Sequence, residues 1–179
     1  MSYVEALTGL GAATEAKAVT IFELFQAGQL TKAQTVATMA SLISKANLQA
    51  ASLADLSLAA TLTLQTGAAV PATGITIRSG SVLVARGIRE ILDTPPKEAD
   101  MLMRIQRIAR TAPIDSGARA YSKAIKSQPR VQGWTRGLSP KACQLCRWWW
   151  RDGQVFSASK SMAHHPGCTC IQIPTVKEK

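Results

Sequence analysis

All four cysteines of this 179-residue chain fall between positions 143 and 170, and both histidines lie in the same interval. They form two short groups, Cys143-Gln144-Leu145-Cys146 and His165-Pro166-Gly167-Cys168-Thr169-Cys170. Two intervening residues let a pair of side chains turn toward one point, and His-x-x-Cys repeats that bite. This is the spacing of a tetrahedral Cys₃His zinc site assembled from two chelating loops. Five good ligands compete for four positions, and His164 is a sixth. We favour Cys143, Cys146, His165 and Cys168, with Cys170 in place of Cys168 as the nearest variant, and expect a structural zinc ion. Two disulfides or free buried thiols are the alternative. Met1–Glu5 has no basic n-region, so we expect no secretory signal and synthesis in a reducing compartment, which disfavours disulfides.

Catalysis by this segment is not expected. A catalytic zinc keeps one position open and needs a general base nearby. No His-Glu-x-x-His occurs, and Asp152 is the lone carboxylate between Pro140 and Val176. It reads as a turn residue.

Charge divides the chain. Residues 1–75 carry three Lys against four acids, a net −1, and residues 76–179 carry 18 Lys/Arg against seven acids, a net +11. Basicity confined to one part implies attraction to a polyanion or an acidic protein surface. Arg104, Arg107, Arg110, Arg119, Lys123 and Lys126 supply it on helices, and Arg147 and Arg151 flank the tryptophan run. The charge-poor stretch 46–77 is rejected as a membrane span, because Asp55, Asn47, Gln49 and Gln65 would be buried in lipid.

We expect a mainly α protein with a small C-terminal β-hairpin and zinc knuckle, α+β overall. Residues 1–66 read as a long helical hairpin. Val4, Leu7, Gly11, Thr14, Ala18, Ile21 and Phe25 share one stripe. Ala27-Gly28-Gln29 breaks it, and Thr31 with Gln34 forms a capping box. The second helix carries Val36, Met39, Ile43, Ala46, Ala50, Leu53, Ser57, Ala60 and Leu64, a stripe of small residues that packs internally or supports oligomerisation. Residues 67–80 are a linker. Residues 81–130 form a basic helical region with a helix from about Ser81 to Leu92. A second helix starts at Thr94-Pro95-Pro96 and ends at Pro113, and a third is capped by Asp115 and runs through Lys126. Residues 131–175 make the knuckle. There, Gly133–Leu138 and Ile171–Ile173 read as strands, and Arg151-Asp152-Gly153-Gln154 reads as a hairpin turn joining Trp148-Trp149-Trp150 to Val155-Phe156. The tryptophans are expected to cover the knuckle rather than to stack on nucleic-acid bases.

Gly133-Trp134-Thr135-Arg136, Ala142–Cys146, Asp152–Phe156 and Ala163–Cys170 together resemble the C-terminal signature of the Mu F-like minor head proteins of tailed bacteriophages, closest to the actinobacteriophage type. The resemblance covers roughly residues 131–174. It implies a virion protein made in the host cytoplasm, acting in head morphogenesis at the portal vertex or capsid interior. Its partners would be portal or capsid proteins, with possible contact to packaged DNA and none to membrane. Two alternatives are a capsid maturation protease, a label common for similar genes, and a nucleic-acid-binding zinc protein.

Overall fold

The computed structural model describes residues 2–94, 98–140 and 142–176. It is mainly α with a small β element: α1 (Tyr3–Gln26), α2 (Lys32–Thr66), α3 (Ser81–Asp93), α4 (Glu98–Ser127), β1 (Val131–Gly137), α5 (Gln144–Trp150), β2 (Phe156–Ser157) and β3 (Ile171–Val176). The helical hairpin follows from local signals. Ser2 with Glu5, and Thr31 with Gln34, form reciprocal capping boxes that satisfy the first-turn N–H groups of α1 and α2. Gly67, in the left-handed conformation at φ 66°, ends α2. The expected start at Thr94-Pro95-Pro96 lies outside the described residues; Thr94 itself closes α3, its N–H donating to the Glu90 carbonyl.

The core runs along α2 and α4. One end joins the second halves of both helices to the sheet, through Leu58, Leu62, Ala124, Ile125, Trp134 and Phe156. The other packs α1, α3 and the first halves of α2 and α4 around Phe22, Met39, Ile43, Ile88 and Ile105. Each fully buried Leu or Ile here contributes about 1.5–3 kcal/mol. The small residues of α2 serve this internal packing: Ala46, Ala50 and Ala54 are buried. Beyond Ala50 the buried stripe is Ala54, Leu58 and Leu62, whereas the expected Ala60 and Leu64 are exposed. The same drift makes Phe22, not Ile21, the buried residue near the end of α1. A strict three-four alternation averages 3.5 residues per turn, and a straight helix at 3.6 rotates away from it by about 20° per heptad.

Three sequence expectations are corrected. Pro113 does not end a helix; it lies inside α4, which continues to Ser127. An internal proline costs about 3 kcal/mol, and burial of Ala109, Pro113, Ile114 and Ala120 on both sides of it offsets that cost. Asp115 is therefore not an N-cap but a mid-helix residue whose carboxylate accepts from the Gly167 N–H at 3.0 Å. Trp148-Trp149-Trp150 is not a hairpin strand but the end of α5. Its supposed partner, Phe156, pairs instead with Trp134 of β1. The sheet has order β2-β1-β3, antiparallel throughout.

Residues 67–80 lack regular secondary structure but are anchored. Val70 enters the core, and Asp55 of α2 accepts from the Thr73 N–H and hydroxyl and from the N–H groups of Gly74 and Ile75. Crossing of α1 over α4 depends on absent side chains. A Cβ at Gly11 would stand 2.7 Å from the Arg110 carbonyl oxygen, and one at Gly117 would stand 2.9 Å from Leu7 Cδ1. No helix among the described residues is long and apolar enough to cross a membrane.

Candidate metal centre

Two tight turns bring the ligands together. Cys143 occupies the N-cap position of α5, so Cys146 falls in the helix's first turn. There the free N–H groups of a helix start favour negative charge. Opposite, His165-Pro166-Gly167-Cys168 closes on itself, the Cys168 N–H donating to the His165 carbonyl at 3.0 Å, with Gly167 at φ 72°. That positive φ suits glycine, which has no Cβ to clash.

His165 Nε2 lies 3.3 Å from both Cys143 Sγ and Cys146 Sγ, and Cys146 Sγ lies 3.4 Å from Cys168 Sγ. Two overlapping groups result, Cys143–Cys146–His165 and Cys146–Cys168–Cys170, each with its ligand atoms within 4.8 Å of one another. Cys146 belongs to both. Zinc–sulfur bonds of ~2.3 Å and zinc–nitrogen bonds of ~2.0 Å give tetrahedral edges of about 3.5–3.8 Å. The observed separations are a few tenths shorter, a contraction that seating an ion would reverse. All four thiols are free, and 3.4 Å far exceeds the ~2.05 Å of a disulfide. This cluster can hold a metal ion.

Surrounding groups prepare it. His165 Nδ1 is 3.2 Å from the Pro166 carbonyl oxygen. Its proton belongs there, since a carbonyl only accepts, and this leaves the Nε2 lone pair facing the thiols. The Cys146 N–H holds the Cys143 thiol below its ordinary range. Burial pushes Cys146 up, reinforced by the neighbouring Cys168 and Cys170 thiols, and burial also raises Cys168. At Cys170 burial acts in the same sense but is outweighed, chiefly by the Ser139 N–H at 3.5 Å, so that thiol is lowered. Thiols that resist ionisation when crowded together are stabilised as thiolates by a divalent cation.

Sequence reasoning missed the shell around the cluster. Trp149 lies over the His165 ring, centroids 6.5 Å apart, and the Arg136 guanidinium sits 5.3 Å from the Trp149 centroid. Arg136 is buried, and its Nη2 donates to the Ala163 carbonyl. Trp149 thus covers the knuckle, as a structural role for the tryptophans requires, while Trp148 is exposed. His164, the sixth candidate, faces away: its Nδ1 is 3.8 Å from Asp115 Oδ1.

The basic residues expected to form one surface are dispersed. Arg104, Arg107 and Arg119 line a groove beside α4, joined by Arg78, which sequence reasoning left out. Arg110 turns to α1 and pairs with Glu15 at 3.0 Å. Lys123 and Lys126 donate to the Thr76 carbonyl and the Ser161 hydroxyl. Arg147 Nε donates to the Ala142 carbonyl, and Arg151 is exposed in the turn after α5. No family model matches the chain, and neither a curated protein nor a solved structure is matched by it.

Proposed function

We propose that this chain is a structural, non-enzymatic protein whose C-terminal segment is locked by one zinc ion, and that it serves as a minor head protein of a tailed phage. Cys143, Cys146, His165 and Cys168 hold the ion, with Cys170 the alternative fourth ligand. The observation that carries the structural reading is the surplus of protein donors around Cys146. An ion held by Cys143, Cys146 and His165 that also draws in Cys168 or Cys170 is saturated by protein and has no position left for water or substrate. Asp115, the carboxylate of α4 that meets the knuckle, accepts from the Gly167 N–H, so it is not placed as a free general base.

The head-protein reading draws on the resemblance of residues 131–174 to Mu F-like proteins. The helical part would engage portal or capsid protein, with the basic face toward an acidic protein surface or packaged DNA. The outer face of the hairpin, where Leu48 and Leu56 are exposed, would support self-association. Mass spectrometry of purified phage particles tests this. The chain should be found in mature heads, and its absence from them would sink the assignment. Co-expression with the major capsid protein should yield no cleavage; cleavage lost on His165→Ala would replace the structural reading with the protease one.

A further inference from the structure

A groove of about 520 Å³ opens between the Arg78–Gly80 segment, α3, α4 and the knuckle residue Pro166. Its two kinds of lining differ sharply. Arg78, Arg104, Arg107 and Arg119 stand along it, all four exposed. Among the described residues none of the four has a salt-bridge partner. Asp115, the one acid lining the groove among the described residues, is already bonded to the knuckle. The same lining includes an aliphatic floor, with Ile108 half-buried and Leu83 70% exposed, beside the polar Ser79 and Thr111. The wall carrying Arg78 is fixed, because the buried Asn47 amide donates to the Ser79 carbonyl at 2.9 Å.

We propose that this groove binds an acidic peptide segment that also carries aliphatic side chains. Four like charges flanking one channel repel one another, and a row of carboxylates relieves that repulsion with bidentate geometry available at each guanidinium. From Arg104 to Arg119, α4 spans about 22 Å, enough for several acidic positions along one peptide. The floor selects between polyanions. A nucleic-acid backbone gains nothing from Leu83 and Ile108, and among the described residues no aromatic side chain lines the groove to stack on bases. A peptide with Leu or Ile among its acids covers exposed Leu83 and satisfies both linings at once. The inference does not rest on the head-protein reading: absence from phage particles would remove that reading and leave the groove's chemistry as it is.

The test uses the full zinc-loaded chain and fluorescence anisotropy with short labelled peptides. One alternates Glu with Leu at helical spacing; a second carries Ser in place of each Leu at the same charge. The Glu-Leu peptide should bind, and the Glu-Ser peptide should bind about tenfold more weakly. Arg104→Glu with Arg107→Glu should weaken the first by about tenfold or more. Arg89→Glu, an exposed α3 change outside the groove, should leave it unaltered. Leu83→Ser, at an exposed site that folding does not need, should weaken the Glu-Leu peptide and not the Glu-Ser one. Equal binding of the two peptides, equal damage from Arg89→Glu, or no binding at all would overturn the proposal. So would duplex or single-stranded DNA displacing the Glu-Leu peptide more effectively than unlabelled peptide does.

Discussion

Asp55 sits 6% exposed in the middle of α2 and accepts four hydrogen bonds from residues 73–75. Burial alone would raise its pKa, but the Thr73 hydroxyl and the three backbone N–H groups outweigh burial and hold the carboxyl below its ordinary value. An acid depressed in the folded state stabilises folding above its unfolded pKa of about 3.9 and loses that contribution as pH falls through the lower folded value. Thermal melts should therefore show stability falling from about pH 4 downward, and Asp55→Asn should flatten that fall. At pH 7 the same substitution should cost about 2–3 kcal/mol in a denaturant titration, since it leaves donors around residue 73 poorly matched. Gly11 makes a second prediction at this scale. The Arg110 carbonyl at 2.7 Å from a new Cβ is helix backbone and cannot swing aside, so Gly11→Ala should destabilise by about 1–3 kcal/mol despite its better helix propensity.

At the scale of elements, the cysteine cluster packs apart from the helical body, while the sheet of the same segment shares the body's core through Trp134 and Phe156. Cys146, Cys168 and Cys170 cluster apart from the two large apolar clusters, while the Asp115–Gly167 hydrogen bond ties the segment to α4. Removing the proposed zinc with a chelator should therefore unravel α5 and the His165–Cys168 turn, and leave the four long helices in place. The expected signature is a change in tryptophan fluorescence as Trp149 leaves His165, with far-ultraviolet helix signal largely kept. Loss of both together would show that the body depends on the metal. Cys146→Ser, which removes the ligand common to both groups, should abolish stoichiometric zinc measured by elemental analysis. Comparing Cys168→Ser with Cys170→Ser identifies the fourth ligand, because only one should lower zinc affinity steeply.

For the whole molecule, charge and shape lead to different expectations. The net charge of +10 draws polyanions at low salt regardless of sequence, and such binding falls steeply as salt rises. Binding in the arginine groove should retain a salt-resistant part, because its aliphatic floor contributes a term that ions do not screen. Self-association through the hairpin's outer face predicts a concentration-dependent mass in sedimentation. Leu48→Glu with Leu56→Glu should return the chain to monomer, both positions being exposed and outside the cores.

Local chemistry made much of this legible from residues alone. The start of α2 is written in the Thr31–Gln34 capping box, and the candidate ligands in chelating pairs whose bite needs only two intervening residues; the matching Ser2–Glu5 box at α1 emerged only with the structure. The strand at Ile171 is legible as a strand, but its faces are reversed: Gln172 is buried, accepting from the Ser122 hydroxyl, and Ile173 is exposed. What required the tertiary structure was each choice in which a distant contact outweighed a nearby signal. Pro113 looked like a helix end because its backbone cost is local, whereas the core residues offsetting it come from packing against α1 and α2. Trp148-Trp149-Trp150 suits a strand by propensity, but the turn that places Cys143 and Cys146 starts a helix through them. Asp115 resembles a cap until Gly167 is brought to it across 52 residues. Arg78 joins Arg104, Arg107 and Arg119 only because Asn47 pins its segment beside α4. Sequence spacing specifies which residues can chelate or cap; burial over long range decides which helix continues, which face is wet and which charges meet.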